Sequence, residues 1–140
     1  MGSRAYVDSN VIIYIIEGVA PLKTRAASAL ERLIREGHVP VTSEPTVGEC
    51  LAGALRQDRR LAETYLDLFD RTELLEVADV TRPLVRRAAE IGAAFKMKLV
   101  DALHVATAEA LRCEVLLTND RGIRAPAGIE VRHCSEETYS

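Results

Sequence analysis

The stretch RAYVDSNVIIYIIEG, residues 4–18, places one carboxylate, that of Asp8, between two apolar runs. The apolar residues ahead of Asp8 predict a short buried strand over residues 4–8, and those after it predict a short helix that ends near Glu17. An unpaired carboxylate in a buried strand is costly because it loses its water. Asp8 is therefore either an ordinary strand end or the first residue of a functional site.

Short apolar strands and amphipathic helices alternate along the rest of the chain. We expect Ser9 or Asn10 to cap the first helix, and Ser43 and Thr81 to cap two later ones. Because the strands are continuously apolar and are separated by helices, the predicted fold class is α/β with a mainly parallel central sheet. Further strands are predicted over residues 38–42, 74–77, 114–118 and 129–132, and helices over 9–17, 43–57 and 99–111 and around positions 33, 65 and 91.

The chain has 140 residues, of which 48% are hydrophobic and 28% charged, as in ordinary globular proteins. We expect residues 1–140 to form a single domain, and the last six, SEETYS, to fray. No apolar run reaches the ~18 residues of a membrane span. The segment VIIYIIEGVA, residues 11–20, lacks the basic leader of a signal peptide. We therefore expect a cytoplasmic protein with no membrane partner.

Neither cysteine nor histidine shows the spacing of a disulfide or metal site. The cysteines are isolated and odd in number, which predicts small, buried, inert side chains: Cys50, Cys113 and Cys134. The histidines, at positions 38, 104 and 133, are scattered as well. The formal net charge of −3 does not indicate a nucleic-acid binder, yet a carboxylate site within a basic rim would give the same balance.

Four carboxylates are notable because each is embedded among apolar or small residues. Asp8 ends one predicted strand and Asp120 follows another, and open parallel sheets bind ligands beyond the carboxyl ends of their strands. Asp101 lies in the first turn of a predicted helix, and Glu49 lies in the segment GECLAG. Each also has an ordinary explanation, as a turn or cap residue, a partner of a helix dipole, or part of a solvated helix face.

If the four carboxylates converge, their mutual repulsion is costly unless a cation binds between them. Oxygen ligands alone select hard divalent ions, Mg²⁺ or Mn²⁺. Such ions activate water, orient a phosphodiester and stabilise the leaving oxygen. Spacing does not prove convergence, but metal-dependent phosphodiester hydrolysis is the reaction that these residues suit best.

In order and composition these motifs resemble those of the PIN-domain family of metal-dependent nucleases, most closely its VapC-type toxins. AYVDSNVIIY (5–14) is similar to the family's first strand, and SEPTVGECLAG (43–53) to the segment that holds its second acid. LVDALHVATAEALRCEVLLTND (99–120) resembles the third motif and the next strand. The match covers nearly the whole chain. One departure, Ile123 where the family often has Phe, concerns apolar packing only.

The resemblance implies a Rossmann-like three-layer α/β/α sandwich and endoribonuclease activity on RNA. It implies one or two Mg²⁺ or Mn²⁺ ions held by Asp8, Glu49 and Asp101, with Asp120 binding through water or holding a second ion. It also implies a homodimer and, for the toxins, an antitoxin that covers the site. No motif records which metal binds or which RNA is cut.

Residues beside the four acids are candidates for supporting roles. Ser9 and Asn10 are expected either to orient a ligand or to cap the helix, and Thr118 to hydrogen-bond to the first acid or to phosphate. Lys98 and Arg121 flank two of the acids, which makes them candidates for contact with RNA phosphates.

The remaining polar and aromatic residues have ordinary interpretations. His104 lies one turn after Asp101, and we interpret it as a packed or supporting histidine in preference to a general base. The arginines at positions 56, 59 and 60 and at 82, 86 and 87 are interpreted as solvated helix faces. Aromatic content is only 4%, so stacking on bases has few candidates, and core packing explains Tyr14 better.

Three other functions stay open at this point. One is a PIN-fold nuclease of RNA processing or repair that has no antitoxin. Another is a catalytically silent binding module that keeps the fold, although the presence of all four acids argues against it. The third, an aspartate-phosphate protein, is disfavoured because such sites need a second Asp two residues from the first, or an acidic pair before it, together with a suitably placed Lys, and DSNV supplies neither acidic pattern.

Overall fold

The computed structural model describes residues 3–136, and its strands form one five-stranded, all-parallel sheet. The strand order is β3-β2-β1-β4-β5. All five predicted strands are present, each shifted by at most two residues at either end, and the parallel sheet is confirmed. The strands are β1 (Arg4–Val7), β2 (Val39–Ser43), β3 (Glu76–Ala78), β4 (Val115–Thr118) and β5 (Glu130–His133).

Six α-helices of the described residues connect these strands. A π-helical turn, Asp67–Arg71, prolongs the fourth of them. The frayed end predicted for residues 135–140 falls largely outside the described residues, of which Cys134–Glu136 form one 3₁₀ turn. The helices are α1 (Ser9–Glu17), α2 (Leu22–Arg35), α3 (Glu44–Leu55), α4 (Arg59–Leu66), α5 (Arg82–Phe95) and α6 (Leu99–Ala110).

The sequence predicted the N-caps of three helices, and the prediction for α1 is wrong. Thr81 caps α5 as expected, because its Oγ1 accepts a backbone N–H three residues on, and Ser43 precedes α3. In α1, by contrast, Ser9 and Asn10 lie inside the helix, and Asp8 is the N-cap. A carboxylate caps a helix as well as a hydroxyl does, and its charge also complements the helix dipole.

Both faces of the sheet are covered by helices, so the three-layer sandwich is confirmed. Ala5 and Val7 of β1 pack into one apolar cluster with α1 to α4, whereas Tyr6 packs into a second cluster with α5 and α6. This burial on both faces explains why the strands are continuously apolar. The three cysteines are free and buried, and Ile123 packs into the second cluster, all as predicted.

Helices α5 and α6 are joined at the surface by an ion pair. The guanidinium of Arg87 donates to Glu109 through Nε at 2.7 Å and Nη2 at 2.9 Å. This hydrogen bond and the guanidinium charge hold the pKa of Glu109 below its usual value. Arg87 therefore lies on a partly exposed helix face, as expected, and its planar donor fork also pairs with a carboxylate on the neighbouring helix. No helix of residues 3–136 combines the length and apolar composition that crossing a membrane requires.

The central strands should carry much of the stability. Leu116 of β4 is fully buried, so Leu116→Ala should lower the free energy of unfolding by roughly 2–5 kcal/mol, measured by urea denaturation. The matched control is Leu55→Ala, since Leu55 is 56% exposed and its truncation should change stability by only about 0.5 kcal/mol. Equal losses for the two variants would contradict the described core.

The Arg87–Glu109 pair predicts a pH dependence. Because the folded-state pKa of Glu109 lies below 4.5, the pair stabilises the fold above that pH and ceases to do so as pH falls through the folded-state value. The stability difference between the wild type and Glu109→Gln should be largest near neutral pH and shrink in acid. Glu63→Gln, on the exposed side of α4, should show no such trend in the same denaturation series.

Candidate metal centre

The four predicted acids belong to elements that meet at one edge of the sheet. The chain forms β2 and β3 on one side of β1 and then returns to β4 on the other side. This reversal is the switch point at which open α/β sheets bind ligands. Asp8 directly follows β1, and Asp120 lies two residues beyond β4. Glu49 lies in α3, which comes after β2, and Asp101 lies in the first turn of α6.

Asp8 is the best anchored of the four. Its side chain is almost completely buried, and each of its oxygens accepts hydrogen bonds. Oδ1 accepts the backbone N–H of Ser9 at 2.7 Å. Oδ2 accepts the hydroxyl of Thr118 at 2.8 Å and the amide of Asn10 at 3.1 Å. Ser9, Asn10 and Thr118 therefore orient this carboxylate, which was one of the two roles predicted for the first two.

A second layer of hydrogen bonds ties the loop after β4 to α1. Asn10 Oδ1 accepts the backbone N–H of Asn119 at 2.9 Å, and its Nδ2 lies 3.2 Å from Thr118 Oγ1. The same Thr118 oxygen accepts the backbone N–H of Asp120 at 3.0 Å. One threonine hydroxyl thus links two of the predicted acids, Asp8 and Asp120. Sequence analysis did not identify Asn119, because nothing distinguishes it from a turn residue.

His104 lies at this site, buried and hydrogen-bonded to one of the acids, which agrees with its interpretation as a packed or supporting histidine. Its Nε2 lies 2.8 Å from Glu49 Oε1 and 3.5 Å from Asp8 Oδ1. One ligand atom from each of these three residues lies within 4.8 Å of the others. The sequence did not give the partners of His104, because these contacts join residues far apart in the chain. The available signal was the i, i+3 spacing from Asp101, which puts both side chains on one face of α6.

The charged residues of this site shift one another's pKa values. Burial opposes protonation of His104, but its hydrogen bond to Glu49 and the nearby carboxylates together raise its pKa. The bond from His104 in turn lowers the pKa of Glu49. For Asp101, burial and then the charges of Asp120, Asp8 and Glu49 raise the pKa of its carboxyl. Asp101 and Asp120 lie outside the tightest cluster, yet they add negative charge to it.

The donor set fits a divalent cation. The neighbouring carboxylates repel the charge of Asp101 and so help to raise its pKa, and a cation bound among them would relieve that repulsion. Carboxylate oxygens at the end of a parallel sheet suit Mg²⁺ or Mn²⁺, and the Nε2 of His104 lies beside two of these carboxylates. One carboxylate oxygen of Asp120 already accepts a hydrogen bond, because its Oδ1 accepts the backbone N–H of Gly122 at 2.8 Å.

Basic side chains flank the acids. Lys98 immediately precedes α6, and Arg121 comes directly after Asp120; both are exposed at the surface. Their contact with phosphate stays a prediction. Tyr14 packs partly buried against the first apolar cluster, as its core interpretation requires.

Thr118 offers a test of the site's hydrogen bonding. Thr118→Val keeps the shape but leaves Asp8 and the N–H of Asp120 each short of a partner, so stability should fall by about 1–3 kcal/mol. Amide exchange at Asp120 should also become faster. Thr107→Val is the control, because Thr107 is equally buried but its hydroxyl only bonds back to a carbonyl of its own helix. An unchanged exchange rate at Asp120 would contradict the described network.

Comparison with known proteins identifies the family. The PIN-domain model matches residues 5–129, and no curated protein matches the sequence. The fold is similar to that of FitAcB from Neisseria gonorrhoeae, with a TM-score of 0.74 and 21% identity over 95% of this chain and 99% of that one. A toxin–antitoxin complex from Klebsiella pneumoniae gives 0.70 and 24% over 89% and 94%. VapC20 of Mycobacterium tuberculosis, a sarcin–ricin-loop-cleaving toxin, gives 0.65 and 20% over 80% and 86%. The family match and the fold agree, and the chain belongs to the PIN-domain family.

Proposed function

We propose that this chain is a metal-dependent endoribonuclease that hydrolyses RNA phosphodiester bonds and acts as the toxin of a toxin–antitoxin pair. The observation that carries this proposal is the meeting of Asp8 and Glu49 with His104 at the switch point of the sheet, where one ligand atom from each lies within 4.8 Å of the others. Membership of the PIN-domain family supports it, as does the similarity of fold to toxins of such pairs.

The metal would be Mg²⁺ or Mn²⁺, one or two ions, held by Asp8, Glu49 and Asp101. Asp120 would bind through water or hold a second ion. When bound, such an ion supplies positive charge for the phosphodiester and makes water a better nucleophile. Asp8 suits its role because its hydrogen bonds fix the carboxylate before an ion binds. Binding an ion would therefore cost little conformational entropy of this side chain.

The chain's own basic groups would bind the substrate. Lys98 and Arg121 each lie within three residues of an acid, so each can offer a cation to an RNA phosphate beside the carboxylates. Charge–charge contact of this kind is independent of base sequence. Any preference for a particular RNA would therefore come from the shape of the surface around the site.

Two protein partners belong to the proposal. A second copy of the chain would pack against apolar side chains that α5 and α6 leave exposed, namely Val85, Leu99 and Val100. The cognate antitoxin would cover the acids, and an arginine is the side chain best suited to bind several carboxylates at once. Co-purification with the product of a neighbouring small gene, together with loss of metal affinity in that complex, would support this.

Assays of RNA cleavage and of partner binding would distinguish two other functions from this one. A PIN-fold nuclease of RNA processing would cleave RNA but would have no inhibitory partner. A silent binding module would bind RNA or protein without cleavage; the buried, hydrogen-bonded Asp8 disfavours it, because a site without function gains nothing from keeping a buried charge.

The main prediction concerns Asp8. In an assay of purified protein with a mixed RNA pool, cleavage should require Mg²⁺ or Mn²⁺ and stop with EDTA. Asp8→Asn should lower the cleavage rate at least ~100-fold, because the amide carries no charge for the metal. Cleavage is measured by gel electrophoresis of end-labelled RNA.

The matched control for this prediction is Asp58→Asn. Asp58 is also an aspartate N-cap, of α4, and its carboxylate accepts a backbone N–H at 3.0 Å. Asn caps a helix about as well as Asp does, so both variants keep a capping side chain and both should stay folded. Only Asp8→Asn should lose activity. Equal activity of the two variants, or cleavage that survives EDTA, would refute the metal-dependent mechanism.

A further inference from the structure

A chain of buried hydrogen bonds leads from the interior of the sheet to the acids. The hydroxyl of Tyr6, in β1, lies 2.6 Å from Ser43 Oγ and 2.6 Å from His104 Nδ1. The other ring nitrogen, Nε2, lies 2.8 Å from Glu49 and 3.5 Å from Asp8. The sequence alone does not reveal this chain, since its members come from β1, β2, α3 and α6.

The chemistry of the partners decides where the protons lie. An ionised carboxylate only accepts hydrogen bonds, so Nε2 must carry a hydrogen to bond Glu49. Nδ1 then accepts from Tyr6, and Tyr6 accepts from Ser43. If the ring were protonated, Nδ1 would donate to Tyr6, whose hydroxyl would donate to Ser43. Nε2 is a donor in both cases, so the bond to Glu49 does not depend on the charge of His104.

The inner members of the chain are rigid. Tyr6 and Ser43 are fully buried, and the His104 side chain is 1% exposed. Tyr6 stands in the central strand, with neighbours on both sides, so its hydroxyl cannot move relative to the sheet. The tilted contact of the Tyr6 and His104 rings, with centroids 5.7 Å apart, further limits rotation of the imidazole.

Glu49 is the member that needs support. Its side chain is 42% exposed, whereas Asp8 already has bonds from three other residues. A partly exposed glutamate has several rotamers, and restricting it to one costs conformational entropy. The only side-chain hydrogen bond of Glu49 shorter than 3 Å among the described residues comes from His104.

We propose that His104 is a positioning residue, which holds Glu49, and secondarily Asp8, in place through its Nε2–H while Tyr6 and Ser43 fix the orientation of its ring. This inference rests on the proposed function, because it gives the positioned carboxylates the role of metal ligands. His104 itself does not bind the ion, since a nitrogen that carries a hydrogen has no lone pair to give. The oxygen preference of Mg²⁺ and Mn²⁺ agrees with this assignment.

The first test measures Mn²⁺ affinity by calorimetry on folded wild type and variants. His104→Leu removes the donor at similar volume and should weaken Mn²⁺ binding ~10–100-fold, the usual effect of losing a group that orients a ligand. His104→Gln can present an amide N–H near the position of Nε2 and should retain most of the affinity. His104→Asn, which is too short to reach Glu49, should behave like His104→Leu. Tyr6→Phe should give a smaller loss.

The second test separates positioning from coordination. Electron spin-echo spectra of Mn²⁺ bound to the wild type should lack the nitrogen modulation that a directly bound imidazole produces. Nitrogen modulation that disappears in His104→Leu would make His104 a ligand and overturn the proposal. So would an unchanged affinity in His104→Leu, or no recovery in a folded His104→Gln.

The Mn²⁺ measurements also distinguish a failure of the proposed function from a failure of the positioning role. If the wild type itself binds no Mn²⁺, the metal centre is wrong and the inference falls with it. If the wild type binds Mn²⁺, loses it in Asp8→Asn and keeps it in His104→Leu, the metal centre stands and only the positioning role is refuted.

Discussion

A buried charge at the end of the central strand is the feature that the rest of the site requires. Asp8 is 3% exposed, so its carboxylate must be satisfied by hydrogen bonds within the protein. The start of α1 supplies one donor from its backbone and another from Asn10, and Thr118 at the end of β4 supplies a third. Only a parallel pairing of β1 with β4 brings Thr118 to this carboxylate, so the topology and the site require each other.

The acids around Asp8 oppose stability. Asp101 shows this most directly, because burial and three neighbouring carboxylates disfavour its ionised form. A fold that gathers such groups gives up stability for a capacity to bind positive charge, which is a familiar trade at functional sites. His104 offsets part of the repulsion and links the acids to the rigid interior through Tyr6.

Much of the fold was predictable because its signals are local. The apolar strands and the spacing of apolar residues in the helices come from burial, which the sequence records directly. Two helix ends lack the glycine that often marks such a position: Lys96, the C-cap of α5, has φ 58°, and Arg112, just after α6, has φ 56°. These residues adopt the left-handed conformation that glycine usually provides, so tertiary packing overrides the local preference.

The site was predictable only in part, for the same reason. The order of the acids along the chain, with the resemblance to PIN-domain proteins, pointed to Asp8, Glu49, Asp101 and Asp120. The bonds of His104 with Tyr6 and Glu49 join residues 98 and 55 positions apart, and no local pattern records them. The capping role of Asp8 was missed because Ser9 and Asn10 are equally good caps by composition, and only the backbone decides where the helix begins.

The metal centre itself is best tested by an anomalous difference map from crystals grown with Mn²⁺, with data collected near the manganese absorption edge. We predict a peak among the carboxylates of Asp8, Glu49 and Asp101, with oxygen atoms as its nearest protein neighbours. Ordered acids with no peak between them, or manganese bound only at some other surface, would show that this end of the sheet is not a metal centre.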